Sequence, residues 1–434
     1  MRGPVPRAEH PASYWAATRG PGCDFDELTA DRETDTLIVG AGFTGLSAAY
    51  HLRSMRIDCT VLEANDVGWG ASGRNGGMVV PRFKHTFPSL AKDYGVPTAL
   101  DMYRAAHRAV DLIETLVREE GMDCGFARCG HLTPFVHAHD ANRFAADAAW
   151  LAKNADDGAP CLLDRSGTEA RTGTPFYAGS YFEPRGGAIH PLRFSRQLAA
   201  AVARRGGWIH VRTPVLSWSR ERASIVVRTP KATVRARRLL MATNAYTDLT
   251  RAGDDLKRGV VPIASSLIVT APLGESARGA ILPHGNVVTD AKRLTNYFRI
   301  SDDGRMIFGG RGGASHKESE RIYIRLTREM AQIYPTLADC RVDYRWSGRV
   351  AVTLDGLPRV GRLADQVFFA MGYNGRGVAL AILLGHMLAE LGLGQEIELG
   401  PLTGELVSIP FHAFRVPAKK VVMTYYKLLD TLGV

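Results

Sequence analysis

The chain has 434 residues, 45% of them hydrophobic and 23% charged, which is ordinary globular material. That length is too great for one simple core, so about two to three domain-sized units are expected. Its 54 Lys and Arg exceed 44 Asp and Glu, a formal charge of +10. The excess is Arg scattered along the whole chain without a basic run, which argues against a nucleic-acid partner and fits solubility or attraction of an anionic substrate.

Six cysteines (Cys23, Cys59, Cys124, Cys129, Cys161 and Cys340) show neither a C-x-x-C pair nor zinc-like spacing. They read as reduced thiols of a cytoplasmic protein, with no metal site. Residues 1–33 are polar and carry no apolar segment, so neither a signal peptide nor an anchor is expected. The longest apolar stretch, 378–391, is broken by Gly385-His386 and too short for a membrane span.

In chain order, the β-branched run 35–39 predicts a strand buried on both faces. A helical pattern over 44–55 and a second apolar run at 59–62 complete a βαβ unit. A loop over 66–78 holds five glycines. Residues 90–120 space Leu100, Met102, Val110, Leu112, Ile113 and Leu116 for one buried helical face. After a mixed segment to about 181, Gly187-Ala188-Ile189-His190-Pro191 introduces a helix to 204. Short strands follow at 208–211, 224–228 and 238–242, then a β-rich block over 261–310 and a helix over 318–334. A last strand, 366–371, feeds a glycine-rich turn and the helix 378–391.

Cofactor-type signals fall near the start, middle and end of the chain. They predict an α/β fold, α+β overall, in which a Rossmann-like dinucleotide-binding domain is interleaved with a β-sheet substrate domain. The first domain is assigned 35–95, 183–260 and 345–400, and the second 96–182 and 261–344. An N-terminal extension (1–34) and a C-terminal tail (401–434) flank them.

Gly40-Ala41-Gly42-Phe43-Thr44-Gly45 follows the first strand and opens the first helix. Gly40 permits the tight turn, Gly42 admits a pyrophosphate and Gly45 allows close packing of helix on strand. The helix N-terminus then presents free N–H groups to the phosphates. Glu63, followed by Ala64, ends the second strand roughly twenty residues on, where a carboxylate accepts from ribose hydroxyls and a 2′-phosphate is not expected. The run Trp69-Gly70-Ala71-Ser72, then Asn75-Gly76-Gly77-Met78, is too glycine-rich for an element interior and suits backbone laid against a flat cofactor. Leu239 to Ala245, with Thr243 and Asn244, reads as a strand ending in small residues at the ligand crevice, and Val215 is placed nearby. Gly372-Tyr373-Asn374-Gly375-Arg376-Gly377 opens the last helix and aims N–H groups at the same cofactor.

Together with Leu62-Glu63-Ala64 and Asp355-Gly356-Leu357-Pro358, these motifs resemble the D-amino-acid oxidase superfamily, and within it bacterial γ-glutamylputrescine oxidoreductase-like enzymes. The resemblance runs from about Tyr14 to the tail 425–430. It implies a glycine oxidase/sarcosine oxidase-like fold, FAD as cofactor, and oxidation of an amine or amino acid to an imine by hydride transfer, with O2 or another electron acceptor. The sarcosine-oxidase branch tethers its flavin to a Cys; the matching stretch, 349–353, has none, so the FAD is expected to be non-covalent. That branch also carries an oxygen-activating Lys in a strand that here reads Arg305 to Gly309, which leaves a dehydrogenase open.

Tyr297 and Arg299 alternate with Phe298 on one strand and so share a face. Arg299 is expected to clamp a substrate carboxylate with Tyr297 assisting, and Arg74 and His85 to reach flavin or substrate. Two other readings stay open. One is a flavin monooxygenase or halogenase, whose ribose-binding Gly-Asp has its nearest counterpart in Gly253-Asp254; the other is a non-catalytic FAD-binding subunit.

Overall fold

The computed structural model describes residues 9–20, 24–311, 319–410, 412–414, 421–422, 424–426 and 429–430. The expectations at Cys23 and Glu318, over 1–8, and at Lys427 and Leu428 of the tail lie outside them.

Five parallel strands form the first sheet, in the order Trp208–His210, Cys59–Leu62, Arg32–Val39, Thr233–Met241, Val367–Met371. Numbered along the chain this is 3-2-1-4-5, the doubly wound order that opens a ligand crevice at the carboxyl ends of its strands. Arg359–Ala364 adds an antiparallel edge, and the hairpin Ser217–Glu221/Ser224–Arg228 pairs with Thr233–Met241. Register decides the site. Val39 lies beside Leu62 on one side and Met241 on the other, and Met241 beside Phe369, so Gly40, Glu63 and Ala242 emerge at one edge.

The helices Phe43–Ser54 and Gly377–Gly392 pack together on one face of this sheet. A Cβ on Gly385 would lie 2.4 Å from the Thr44 carbonyl oxygen, so only glycine allows this approach. Gly377–Gly392 is apolar nearly all round because it is covered by the sheet, by Phe43–Ser54 and by the helix Val96–Glu119. Among the described residues no helix is long and apolar enough to cross a membrane.

The second sheet has eight strands, running Val342–Val352, Val261–Pro272, Arg305–Arg311, Asn296–Ile300, Val287–Thr289, His131–Phe135, Gly179–Glu183, Cys161–Leu163. The helix Glu320–Ile333 packs Leu326 and Met330 against Phe298 and Phe308 on one face. The opposite face, which carries Tyr297 and Arg299, meets the glycine loop.

Three boundaries differ from the sequence expectation. Val96–Glu119, assigned to the second unit, packs its apolar stripe into the core of the first, because a stripe names no partner. Val342–Val352 belongs to the second sheet as far as Val352, although 345–352 was assigned to the first unit. Residues 9–20 are no loose extension: Trp15 is fully buried and its indole N–H donates to the Asn75 carbonyl at 2.8 Å.

Candidate active site

Gly40, Glu63 and Ala242, set side by side by the strand register, begin a cleft at the carboxyl edge of the first sheet. Gly40 has φ +108, and a Cβ there would lie 2.9 Å from the Ala242 carbonyl oxygen. The Ser72 hydroxyl accepts from the Phe43 N–H at 2.9 Å, tying the glycine loop to the first helix turn. A Cβ on Gly42 would meet that hydroxyl at 2.9 Å.

Glu63 has both carboxylate oxygens engaged, Oε2 accepting from Ala41 N–H and Oε1 from Asn65 N–H, each at 2.9 Å. Burial pushes its pKa up while these N–H groups pull it down. Tyr246 also lines the cleft, its hydroxyl buried beside the Arg349 backbone. The turn before Gly377–Gly392 passes through positive φ at Gly372, Asn374 and Gly375. It is held from several sides: Asn244 accepts from Gly372 N–H, and Asn374 exchanges hydrogen bonds with Thr353. The buried Tyr373 hydroxyl lies 2.6 Å from Thr44 Oγ1.

A second cavity of about 440 Å³ opens from this cleft, with Ala71, Asn75, Val350 and Gly375 lining both. Tyr297 forms part of its wall, its hydroxyl 2.8 Å from Ser265 Oγ and its ring against Gly76. The glycine loop between cavity and second sheet is braced from behind. Trp346 donates to Arg74 O at 2.9 Å, Trp15 to Asn75 O, and Arg299 to Gly77 O and Ile189 O at 3.0 Å each.

Most of the residues named from sequence meet in these two spaces. Gly40, Gly42, Phe43, Thr44, Glu63 and Ala64 line the cleft, as do Trp69, Gly70, Ala71, Ser72 and Asn75. So do Val215, Thr243, Asn244, Tyr373, Gly375 and Gly377, while Gly76, Met78, Asn374 and Arg376 line the second cavity. Three glycines stand behind the walls. A Cβ on Gly45 would lie 2.0 Å from Gly40 O, one on Gly77 2.2 Å from Ile189 O, and one on Gly372 2.4 Å from the Thr353 side chain.

The proposed substrate contacts need correction. Arg299 does share a face with Tyr297, but the glycine loop lies between it and the cavity; it is 4% exposed and spends its donors on backbone carbonyls. His85 lines neither space, its Nε2 lying 2.7 Å from Asp355 O. Arg74 reaches the cavity wall yet donates to Trp69 O and Ser347 O, bracing the loop it sits in. Gly253-Asp254 lies outside both spaces, and Asp254 pairs with Lys257.

Sequence reasoning missed Tyr246, Arg82, Arg143 and the turn 290–293 as lining residues. None carries a motif; they meet only because strands distant in sequence pair. Within that turn Asp290 is buried 3.0 Å from Lys292 Nζ. Burial raises its pKa from 3.8 to about 6, against the pull of Lys292. A carboxyl with a raised folded pKa stabilises the fold below its unfolded pKa, and that contribution fades as pH climbs through the folded value. The cost corresponds to about 2–3 kcal/mol between pH 4 and 6. Asp290→Asn is expected to flatten the pH dependence of unfolding over that window; denaturant melts at pH 4, 5, 6 and 7 check it.

The family model described as DAO, FAD dependent oxidoreductase, matches residues 35–391. The chain belongs to this family. It is 30% identical over 429 residues to γ-glutamylputrescine oxidoreductase of Escherichia coli (strain K12), covering 98% of this chain and 100% of that protein. It is likewise 30% identical over 427 residues to the probable oxidoreductase OrdL of Haemophilus influenzae, covering 97% and 98%. Among solved structures, glycine oxidase from Geobacillus kaustophilus superposes with a TM-score of 0.73 at 20% identity, covering 87% of this chain and 99% of that one. L-proline dehydrogenase from P. horikoshii gives 0.73 at 21% identity, covering 86% and 96%. The family fold and the interleaved sheets agree, and the protein is an FAD-dependent oxidoreductase. The cleft fits that cofactor: its glycines leave room that a Cβ would fill.

Proposed function

We propose that this enzyme oxidises the C–N bond of an amine or amino acid to an imine, which water then hydrolyses to a carbonyl compound and a free amine. FAD, when bound, takes up the two electrons and the hydrogen leaving carbon as a hydride. The observation that carries the reading is the cavity of about 440 Å³ sharing Ala71, Asn75, Val350 and Gly375 with the cofactor cleft, so that a small substrate reaches the cofactor away from bulk water. The E. coli relative, named for an amine substrate, supports it.

In this reading the backbone around Gly40, Gly42 and Phe43 receives the pyrophosphate, and Glu63 accepts from the ribose. Tyr297, fixed by Ser265, orients substrate at the wall, while Arg299, Trp15 and Trp346 hold the glycine loop in position. Non-covalent attachment is the reading favoured by the stretch 349–353, which holds no Cys, and among the described residues Cys59, Cys124, Cys129, Cys161 and Cys340 lie outside the two linings. The enzyme works in the cytoplasm and passes electrons to O2 or another acceptor.

An anaerobic screen of amines, D- and L-amino acids and γ-glutamyl amines is expected to bleach the visible flavin band with at least one of them. Readmitting air then distinguishes oxidase from dehydrogenase by the speed of recolouring. A flavin that every amine leaves oxidised, but that NADPH reduces, would make the protein a monooxygenase instead.

A further inference from the structure

Residues 9–18 precede the span 35–391 matched by the family model, and none of them lines the cofactor cleft or the substrate cavity. They nevertheless reach the glycine loop at three places. The Glu9 carbonyl accepts from the Trp69 indole N–H at 2.9 Å, His10 Nε2 lies 3.6 Å from Asp66, and Trp15 donates to Asn75 O at 2.8 Å. Trp69 and Asn75 line the cleft, and Asn75 lines the cavity as well. A segment that touches neither space thus holds residues that shape both.

The segment is itself anchored to both units. Ser13 caps the single helical turn Tyr14–Ala17 by accepting from Ala16 N–H. Tyr14 donates its hydroxyl to Asp303 at 2.6 Å, in the turn between the strands Asn296–Ile300 and Arg305–Arg311 of the second sheet, and its ring meets Tyr344 edge-on. Burial, aided by the bond to Asp303, pushes this phenol up to about 12, so it stays a donor. Trp15 packs edge-on against His190 and Trp346. Thr18 ties the far end to the first unit: its hydroxyl lies 3.0 Å from His190 Nε2, and its carbonyl accepts from Arg193 at 2.8 Å, at the start of the helix Pro191–Arg204.

A loop with five glycines between 66 and 78 loses much backbone freedom when it is ordered. Two partners share that cost, the cofactor on the cleft side and residues 9–18 behind. Whatever orders the loop for one partner spares the other, and such coupling is reciprocal. We infer that residues 9–18 form a strap whose docking is coupled to FAD binding, with Tyr14 and Trp15 as positioning residues for the cofactor loop. The inference rests on FAD filling the cleft and is independent of which amine is oxidised.

Two measurements on the full chain test both directions of the coupling. In the first, trypsin is added to the FAD-loaded and the flavin-free protein, and cleavage after Arg19, exposed just beyond the strap, is timed by mass spectrometry. Cleavage after Arg222, exposed at the tip of the hairpin Ser217–Glu221/Ser224–Arg228, is the reference. Proteolysis of this kind follows the population of the opened segment. Cutting after Arg19 is expected to be at least about 10-fold faster without FAD, with Arg222 cut at a constant rate. Equal rates after Arg19, or equal acceleration at both sites, overturn the inference.

The second titrates FAD into flavin-free variants. Trp15→Phe keeps a buried ring but loses the bond to Asn75 O, and Tyr14→Phe loses the anchor to Asp303 while touching no loop residue. Each is expected to raise the Kd for FAD about 5–20-fold. Leu326→Ala, buried on the opposite face of the second sheet, is the control: a lower Tm with the parent's Kd is expected. Parental Kd values in both strap variants, or a Kd raised as much in Leu326→Ala, overturn the strap. Should Trp15→Phe fail to fold, Tyr14→Phe alone decides, since it leaves Trp15 in place.

Discussion

Replacing Glu63 with alanine is expected to give a folded protein that purifies largely colourless. The carboxylate is the acceptor for two backbone N–H groups, Ala41 and Asn65, at the two flanks of the cleft. Hydrogen bonds to a charged group are worth about 1.5–3 kcal/mol each, so losing the ribose contact, together with the loosening of the phosphate turn that loss of the Ala41 and Asn65 bonds brings, is expected to remove about 3–4 kcal/mol of cofactor binding. That corresponds to a Kd for FAD raised about 100–1000-fold, read by titrating the flavin-free protein. Glu63→Gln keeps one carbonyl acceptor and is expected to fall between. Full flavin occupancy in Glu63→Ala would show that Glu63 shapes the strand end and does not hold the nucleotide.

The second large effect is expected at Trp346. It is fully buried between Trp15 and the second sheet, and its N–H holds the Arg74 carbonyl. Trp346→Ala removes a large buried ring and strands that carbonyl, which together destabilise by about 4–5 kcal/mol. Trp346→Phe keeps most of the volume but loses the donor, for about 1–2 kcal/mol. Both variants are expected to release flavin before they unfold, because the loop they brace lines the cofactor side of the cavity. Coincident loss of flavin fluorescence quenching and of secondary structure on heating would show that the brace belongs to the global fold alone.

The cofactor half of this protein was legible because its chemistry is local. Gly40, Gly42 and Glu63 sit within one strand–helix–strand unit, where spacing along the chain translates directly into spacing at a sheet edge. The substrate half was not. Tyr297 and Arg299 share a face as the two-residue period of a strand requires, yet the period does not say what covers that face. The covering turned out to be the glycine loop, which leaves Tyr297 at the cavity and shuts Arg299 behind it. The helix Val96–Glu119 shows the same limit: its stripe announced burial, and only packing chose Gly377–Gly392 as its partner.

Sequence alone therefore determined the nucleotide-binding unit and the interleaving of two sheets, since both follow from short-range glycine, strand and helix patterns, while the cofactor class came from the family resemblance those motifs carry. Tertiary structure decided which cations line the second cavity. Arg82, Arg143 and Lys292 are ordinary surface-type residues in the text of the chain, and they converge in a sheet where Val287–Thr289 pairs with His131–Phe135, more than a hundred residues earlier, and His131–Phe135 pairs in turn with Gly179–Glu183. Electrostatic character of a cavity is a property of such convergence, and no local pattern encodes it.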